Sequence, residues 1–218
     1  MNLIRNDNCK TIEQIAFVAD GDHSKFPCNQ PQEIRYLQAK DIKNHFIEND
    51  KPVFVGKKYF ESQERSHIHE EDVILSIMGS VGDIAILPKG FKHCIANRAV
   101  AIIKQIHDVS PYYLFAFLSS SIGLQQIDQQ KNGGIQQRIN LDLLSKIKVP
   151  IPSISFQNKI ETNIKKAHLK REQSQILYRQ AEELLLETIG LKDFQPSREG
   201  KNIKSFKESF LSTGRLDA

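Results

Sequence analysis

Apolar and polar positions are patterned most clearly in DVILSIMGSVGDIAILP, residues 72–88, where two runs rich in Ile, Leu and Val flank Gly79-Ser80-Val81-Gly82-Asp83. Short β-branched runs punctuated by glycine and proline predict a pair of strands joined by a glycine loop. HCIANRAVAIIKQI continues the pattern, with a further apolar strand predicted over Ala99 to Ile106 after a polar lead that holds Asn97 and Arg98. Upstream, TIEQIAFVADGDHSKFP predicts a short helix or strand stopped by Asp-Gly-Asp and Phe-Pro turns. IRYLQAKDIKNHFI and KPVFVGKKYF alternate extended apolar runs with polar breaks, and SQERSHIHEED reads as a helical turn or an exposed connection. At Ser110-Pro111 the period changes: Ser suits an N-cap, Pro the first helical position, and YYLFAFL a buried helix. SIGLQQIDQQ is a second amphipathic piece, NLDLL allows a helical turn capped by Asn140, and SKIKVPIP predicts a strand stopped by Pro150 and Pro152.

Beyond Ser155 the chain runs as FQNKIETNIKKAHLKREQSQILYRQAEELLLETIG, with no proline and with Gly190 at its end. Good helix formers throughout predict one long helix closed by a glycine cap. About 35 residues at 1.5 Å rise span ~52 Å. A 4,3-spaced seam passes through Ile160, Ile164, Ala167, Arg171, Ser174, Tyr178, Ala181 and Leu185, with Leu169, Ile176, Leu177 and Leu184 beside it. Such a seam predicts pairing with other helices in a coiled coil or bundle. The whole reads as mixed short strands and helices followed by a long coiled-coil-type helix.

Composition is that of a soluble protein, 39% hydrophobic and 26% charged over 218 residues. No run approaches the ~18 apolar residues of a membrane span, and MNLIRNDNCK lacks the apolar core of a signal peptide, so the expected location is the cytoplasm, away from membranes. Cys9, Cys28 and Cys94 are far apart and form no CxxC pair, which favours reduced thiols. The net charge is +4 and unevenly spread. Residues 1–83 hold 10 basic and 14 acidic residues, residues 84–160 hold 9 and 3, and residues 161–218 hold 11 and 9. A basic middle third suits a polyanion surface, unless the lysines scatter over several faces on folding.

Five stretches in this order carry a resemblance: DGDHSKFP, ILSIMGSVGDIAILP, SPYYLFAFLSS, GGIQQRINLDLLSKIKVPIP and the helix opening FQNKI. Together they resemble one half of the specificity subunit of type I restriction-modification enzymes. The resemblance implies an α/β target-recognition domain over residues 1–152 that reads half of a split double-stranded DNA sequence. It further implies a conserved spacer or dimerisation helix over 153–190, and a tail, 191–218, that is a linker or resembles the opening of a second repeat. Methyltransferase (M) and restriction (R) subunits are the implied partners, and an antiparallel homodimer through the helix, by Ile160, Ile164, Ala167, Tyr178, Ala181, Leu184 and Leu185, is the alternative to docking on methyltransferase helices.

Within that frame the loop from Lys131 to Arg138 is the leading DNA candidate. Gly133 and Gly134 let the backbone approach a phosphate or groove wall, and Lys131 and Arg138 supply countercharge. Gln136 and Gln137 have the paired donor and acceptor that read an adenine edge, and Arg138 suits a guanine equally. Asn132 and Asn140 flank the loop and are grouped with it. The alternative is a glycine turn with solvated amides. Gly79, Ser80 and Gly82 offer backbone N–H groups and a hydroxyl to a phosphate, or form a plain hairpin turn. Asn97 and Arg98 are base or phosphate contacts, or a structural cap.

No GxxxxGK[ST] phosphate loop occurs, and no Asn-Pro-Pro-Tyr or Asp-Pro-Pro-Tyr segment of an adenine methyltransferase. The chain is therefore expected to hold no catalytic site, cofactor or metal. His67, His69, His93 and Cys94 lack the ligand spacing of a metal site. The rival function is a small metal-dependent nuclease built on Glu70, Glu71, Asp72 and Asp83.

Overall fold

The two apolar runs around Gly79–Asp83 pair as β8 (Val73–Ser76) and β9 (Ile84–Ile86), antiparallel, with Val73 opposite Ile86 and Leu75 opposite Ile84. In this computed structural model residues 8–24, 33–48, 51–133 and 137–191 are described. Gly134, Gln136, Cys28 and the tail from residue 192, all named above, lie outside them. Residues 1–169 and 170–218 form two separate compact units.

In the first unit β8 also pairs with β11 (Val100–Lys104), and β11 with β2 (Phe17–Asp20), giving an antiparallel sheet in the order β2-β11-β8-β9. Its central strands are apolar without a break because both faces are covered. Val73, Leu75, Ile84, Ile86, Ala101 and Ile103 pack with Ile12, Ile15 and the helix α2 (Pro111–Ser119). Ile74, Ala85, Val100 and Ile102 face Leu37, Ile68, Cys94 and Ala96 of a second sheet. Alternation with period two sends successive side chains to opposite layers, and each fully buried Ile or Leu adds about 1.5–3 kcal/mol. The second sheet, in the order β6-β3-β10-β7, comprises β3 (Ile34–Leu37), β6 (Val53–Val55), β7 (His67–Ile68) and β10 (Cys94–Ala96), with β10 and β3 parallel and the other pairs antiparallel. This is a mixed α/β fold.

HCIANRAVAIIKQI therefore yields two strands, in different sheets, where a single one is predicted. Asn97-Arg98-Ala99 is the turn between them: the Ala99 N–H donates to Asn97 Oδ1 (3.1 Å), and the Val100 N–H to Asn97 O (3.0 Å). Remaining elements are β1 (Cys9–Thr11) paired with β12 (Lys148–Pro150), the hairpin β4 (Ile42–Lys43) and β5 (Phe46–Ile47), α1 (Lys57–Glu61), α3 (Ser121–Gln129) and α4 (Leu141–Ser145). The long helix α5 is unbroken over Ile154–Thr188.

From residue 170 onward, in the second unit, α5 is exposed almost all round. Leu177, Tyr178, Leu184 and Leu185 are 64%, 78%, 65% and 58% exposed, an apolar seam covered by nothing among the described residues. No helix among the described residues is long and apolar enough to cross a membrane.

Gly21 sits where the loop after β2 crosses the Asn97 turn. A Cβ there would lie 2.1 Å from Asn97 O and 2.5 Å from Ala96 O, both backbone atoms. Gly21→Ala is expected to destabilise the chain by more than ~3 kcal/mol, read by urea denaturation, or to abolish soluble expression.

Candidate nucleic-acid interface

Antiparallel pairing brings the ends of β2 and β8 and the starts of β9 and β11 to one edge of the first sheet. The turns there are tied by backbone. The Ile77 N–H donates to Ala99 O (2.8 Å), and Ile77 O accepts from the Ile139 N–H (3.1 Å). Asn132 and Arg138 exchange N–H···O bonds in both directions, each 2.9 Å, closing the loop between them, and Met78 bridges Arg138. On the other side the Asp22 N–H donates to Ala96 O (2.7 Å) and the Arg98 N–H to Asp22 O (2.9 Å). The Gly79–Asp83 loop, the Asn97-Arg98 turn and the Lys131–Arg138 loop, separate in sequence, are therefore neighbours.

Ser76 shapes the glycine loop. Its hydroxyl donates to Ser80 O and accepts from the Asp83 N–H (2.9 Å), while its carbonyl accepts from the Gly82 N–H (3.0 Å). Gly79 (φ +82°) and Gly82 (φ +106°) occupy the left-handed conformation this turn requires. Gly79 and Ser80 are exposed. Asn132, Gly133, Gln137, Arg138 and Asn140 are exposed as well, and Lys131 is half-buried beside Asp128 at 2.5 Å. Asn140 precedes α4, but its side chain makes no capping bond. Among the described residues neither Arg98 nor Arg138 lies within ion-pair distance of a carboxylate, and the same holds for Lys92, Lys104, Lys146, Lys148 and Lys159 of the basic third, whereas Lys89 and Lys131 are paired.

Three residues absent from the sequence reading fix the Asn97 side of this edge. Asp22, 3% exposed, accepts hydrogen bonds from the Tyr59 hydroxyl, the Ser24 N–H (2.8 Å) and the Tyr36 hydroxyl (3.3 Å). Burial pushes the Asp22 carboxyl up, but these donors outweigh it and hold the group below the ordinary range. Burial and the bond to Asp22 push the Tyr59 hydroxyl up to about 12. A buried aspartate beside a glycine and two distant tyrosines was visible in DGDHSKFP only as a turn.

The start of α5 is anchored to the same unit by polar and apolar contacts. Gln157, 2% exposed, accepts from the Ser110 N–H (2.7 Å) and donates to Pro152 O (3.0 Å). The Ser110 hydroxyl donates to Glu161 (2.7 Å), and Lys165 lies over the Tyr112 ring. Ser110 is the N-cap of α2 by position, though its side chain serves α5 and not its own helix. Ile160 and Ile164 pack on the core of this unit, while Ala167, Tyr178, Ala181, Leu184 and Leu185 are exposed.

The four acids of the nuclease alternative do not assemble. Asp72 and Asp83 stand at opposite ends of β8, which the strand rise puts roughly 13 Å apart in extent. Glu70 accepts from the Gly90 N–H (3.0 Å), and Glu71 pairs with Lys89 (3.7 Å). The rings of His67, His69 and His93 meet edge to face, at 6.2 and 5.7 Å, and burial pushes the Cys94 thiol up to about 12. Among the described residues no group of three or more His, Cys, Asp or Glu is arranged to hold a metal ion.

The family model described as Type I restriction modification DNA specificity domain matches residues 9–175. Over 127 residues the chain is 24% identical to the Type I restriction enzyme EcoBI specificity subunit of Escherichia coli, a match that takes in 58% of this chain and 27% of that protein. A chain in a structure of the type I R-M system, solved for its complex assembly and conformational transition, superposes with a TM-score of 0.54 at 15% identity, covering 87% of this chain and 46% of that one. The crystal structure of a type I restriction-modification S subunit from M. genitalium gives 0.51 at 12% identity, covering 81% and 42%. The present chain thus spans less than half the length of these relatives, and at such identities the structural likeness concerns the fold.

Burial pushes the Asp72 carboxyl up to about 6, against ~3.9 for an unfolded aspartate. Between these values the folded state binds more protons than the unfolded one, so this contribution is full below pH ~4 and lost as pH rises through about 6. Asp72→Asn is expected to raise stability at pH 7 by roughly 2 kcal/mol and to flatten the pH 4–6 slope, both read by urea denaturation. An unchanged slope would sink this account.

Proposed function

Because the chain belongs to the type I restriction modification DNA specificity family, we propose that it recognises half of a split double-stranded DNA sequence through the edge that carries Arg98 and Arg138. The observation that supports this most directly is that both guanidiniums are exposed, lie on turns tied together through Ile77, and have no carboxylate partner among the described residues. A phosphate or a guanine edge can take either one without displacing an acid. Gly79, Ser80, Gly82 and Gly133 admit the sugar-phosphate backbone closely, and the amides of Gln137 and Asn140 are suited to base edges; Asn97 and Asn132 already spend one amide atom on their own turns and offer the other, and Gly134 and Gln136, outside the described residues, are assigned with them. Lys131 shares its charge with Asp128 and contributes less. On this reading residues 1–152 are the recognition domain, 153–190 the spacer helix and 191–218 a linker or the start of a further repeat. Methyl transfer and cleavage belong to separate M and R subunits, and the chain supplies specificity without a catalytic site or cofactor of its own.

Methylome sequencing of the source organism with and without the gene tests the assignment. Loss of methylation at one split sequence is expected, and an unchanged methylome would overturn it. With the purified chain, Arg98→Ala and Arg138→Ala are each expected to lower the slope of log affinity against log salt by about 1 if they contact phosphate. Either one instead costs about 1–3 kcal/mol of discrimination at a single position if it reads a base.

The exposed seam of α5 suits methyltransferase helices or an antiparallel second copy. Tyr178→Ser with Leu185→Ser removes apolar surface that nothing among the described residues covers, so folding is expected to be unchanged while association falls at least tenfold. Sedimentation of the chain alone and co-purification with M subunits separate the two partners. Wild-type association by neither route would count against the seam as an interface.

A further inference from the structure

We propose that the β4–β5 hairpin is a strut that holds the part of α5 lying in the first unit, up to Leu169, with His45 and Phe46 as its positioning residues. The hairpin pairs Ile42 with Ile47 and Lys43 with Phe46, leaving Asn44 and His45 as a two-residue turn at φ +50° and +69°. Turns of this kind favour glycine at the second position. The sequence holds a histidine there, and its ring meets the edge of Phe115 in α2, with centroids 5.9 Å apart and planes at 81°. The neighbouring Phe46 reaches His168 of α5, at 4.9 Å and 61°. One turn thus touches both helices through consecutive aromatic rings.

Placement gives these contacts their consequence. Gln157 holds the beginning of α5, and His168 lies about three turns, or ~16 Å, further along. Ile160, Glu161, Ile164 and Lys165 continue that anchorage on the side of α2 and the core; Phe46 adds a contact from the hairpin beyond them, at the last residues of α5 that belong to the first unit. The strut is seated in the core, because Ile42 is 1% exposed and both hairpin strands pack on β9. That strand opens from the Gly79–Asp83 loop, so the first-unit part of α5 is tied to the proposed DNA edge through a single strand. His168 is half-buried, and burial lowers its pKa. Setting the distance between half-sites rests on the function proposed above, but the strut itself is measured without DNA.

Hydrogen exchange of the full chain tests it, with His45→Gly and Phe46→Ala compared against wild type. Glycine relieves the left-handed turn, so His45→Gly is expected to hold or raise the thermal midpoint by about 2 °C. Both variants are expected to speed exchange at residues 161–169 by about tenfold while β8, β9 and β11 keep their protection. A residue needed only for folding would lower the midpoint and loosen the sheet as well. Unchanged protection at 161–169 in both variants, or faster exchange spread over the sheet, would overturn the strut. DNA variants such as Arg138→Ala leave this readout untouched, so failure of DNA recognition and failure of the strut are distinguishable.

Discussion

The peptide groups of one buried residue, Ile77, hold the candidate DNA edge together. Its N–H reaches the Asn97-Arg98 turn and its carbonyl the segment after Arg138, so the end of β8 is shared between two turns distant in sequence. Because this tie is backbone, the scaffold does not depend on the side chains that project from it. Arg98, Gln137 and Arg138 can change without disturbing the frame. Buried N–H and C=O groups enforce this separation, since leaving either unpaired costs about 1–3 kcal/mol.

A second division of labour holds α5. Ile160 and Ile164 bury apolar surface, which is favourable but non-directional. Gln157 adds direction, because a buried amide is tolerated only where both its oxygen and its nitrogen find partners, and here those are the Ser110 N–H and the Pro152 carbonyl. Sliding the helix by one residue would break both bonds. The apolar contacts therefore supply adhesion and the glutamine supplies register, so the helix leaves the first unit at a defined residue with its later seam uncovered.

Local pattern made much of this legible. The β8–β9 pair, the Ser110-Pro111 helix start, the Asn140 turn and the uninterrupted helix to Thr188 each rest on signals within a few residues: β-branched runs, a proline at a first helical position, a stretch without glycine. The features that were not legible are those made by distant partners. HCIANRAV looked like a polar lead to one strand because nothing local says that Cys94–Ala96 joins a different sheet through Ile34–Leu37. Asp22 looked like a turn residue because Tyr36 and Tyr59, which bury and bond it, come later in the chain. The seam from Ile160 and Ile164 to Tyr178 and Leu185 was read as one surface for partner helices, yet its first two members are covered by the chain's own core while the later ones are exposed.

Charge illustrates the same limit and sharpens the proposed mode of binding. By count the middle third of the chain is strongly basic, which suggests a broad cationic surface. Folding neutralises part of it locally, with Lys89 against Glu71 and Lys131 against Asp128. A lysine already paired gains little from a phosphate, since it exchanges one anion for another and exposed pairs contribute about 1 kcal/mol or less. On the proposed reading Arg98 and Arg138, which have no carboxylate partner among the described residues, would supply the electrostatic attraction at this edge, and their planar donors favour geometry over simple charge. A surface with few unpaired cations and several amides gains less non-specific affinity and more from complementary groups. Specificity would then come from the fit of the three stitched turns to a groove, with the docked helix determining where the next half-site is read.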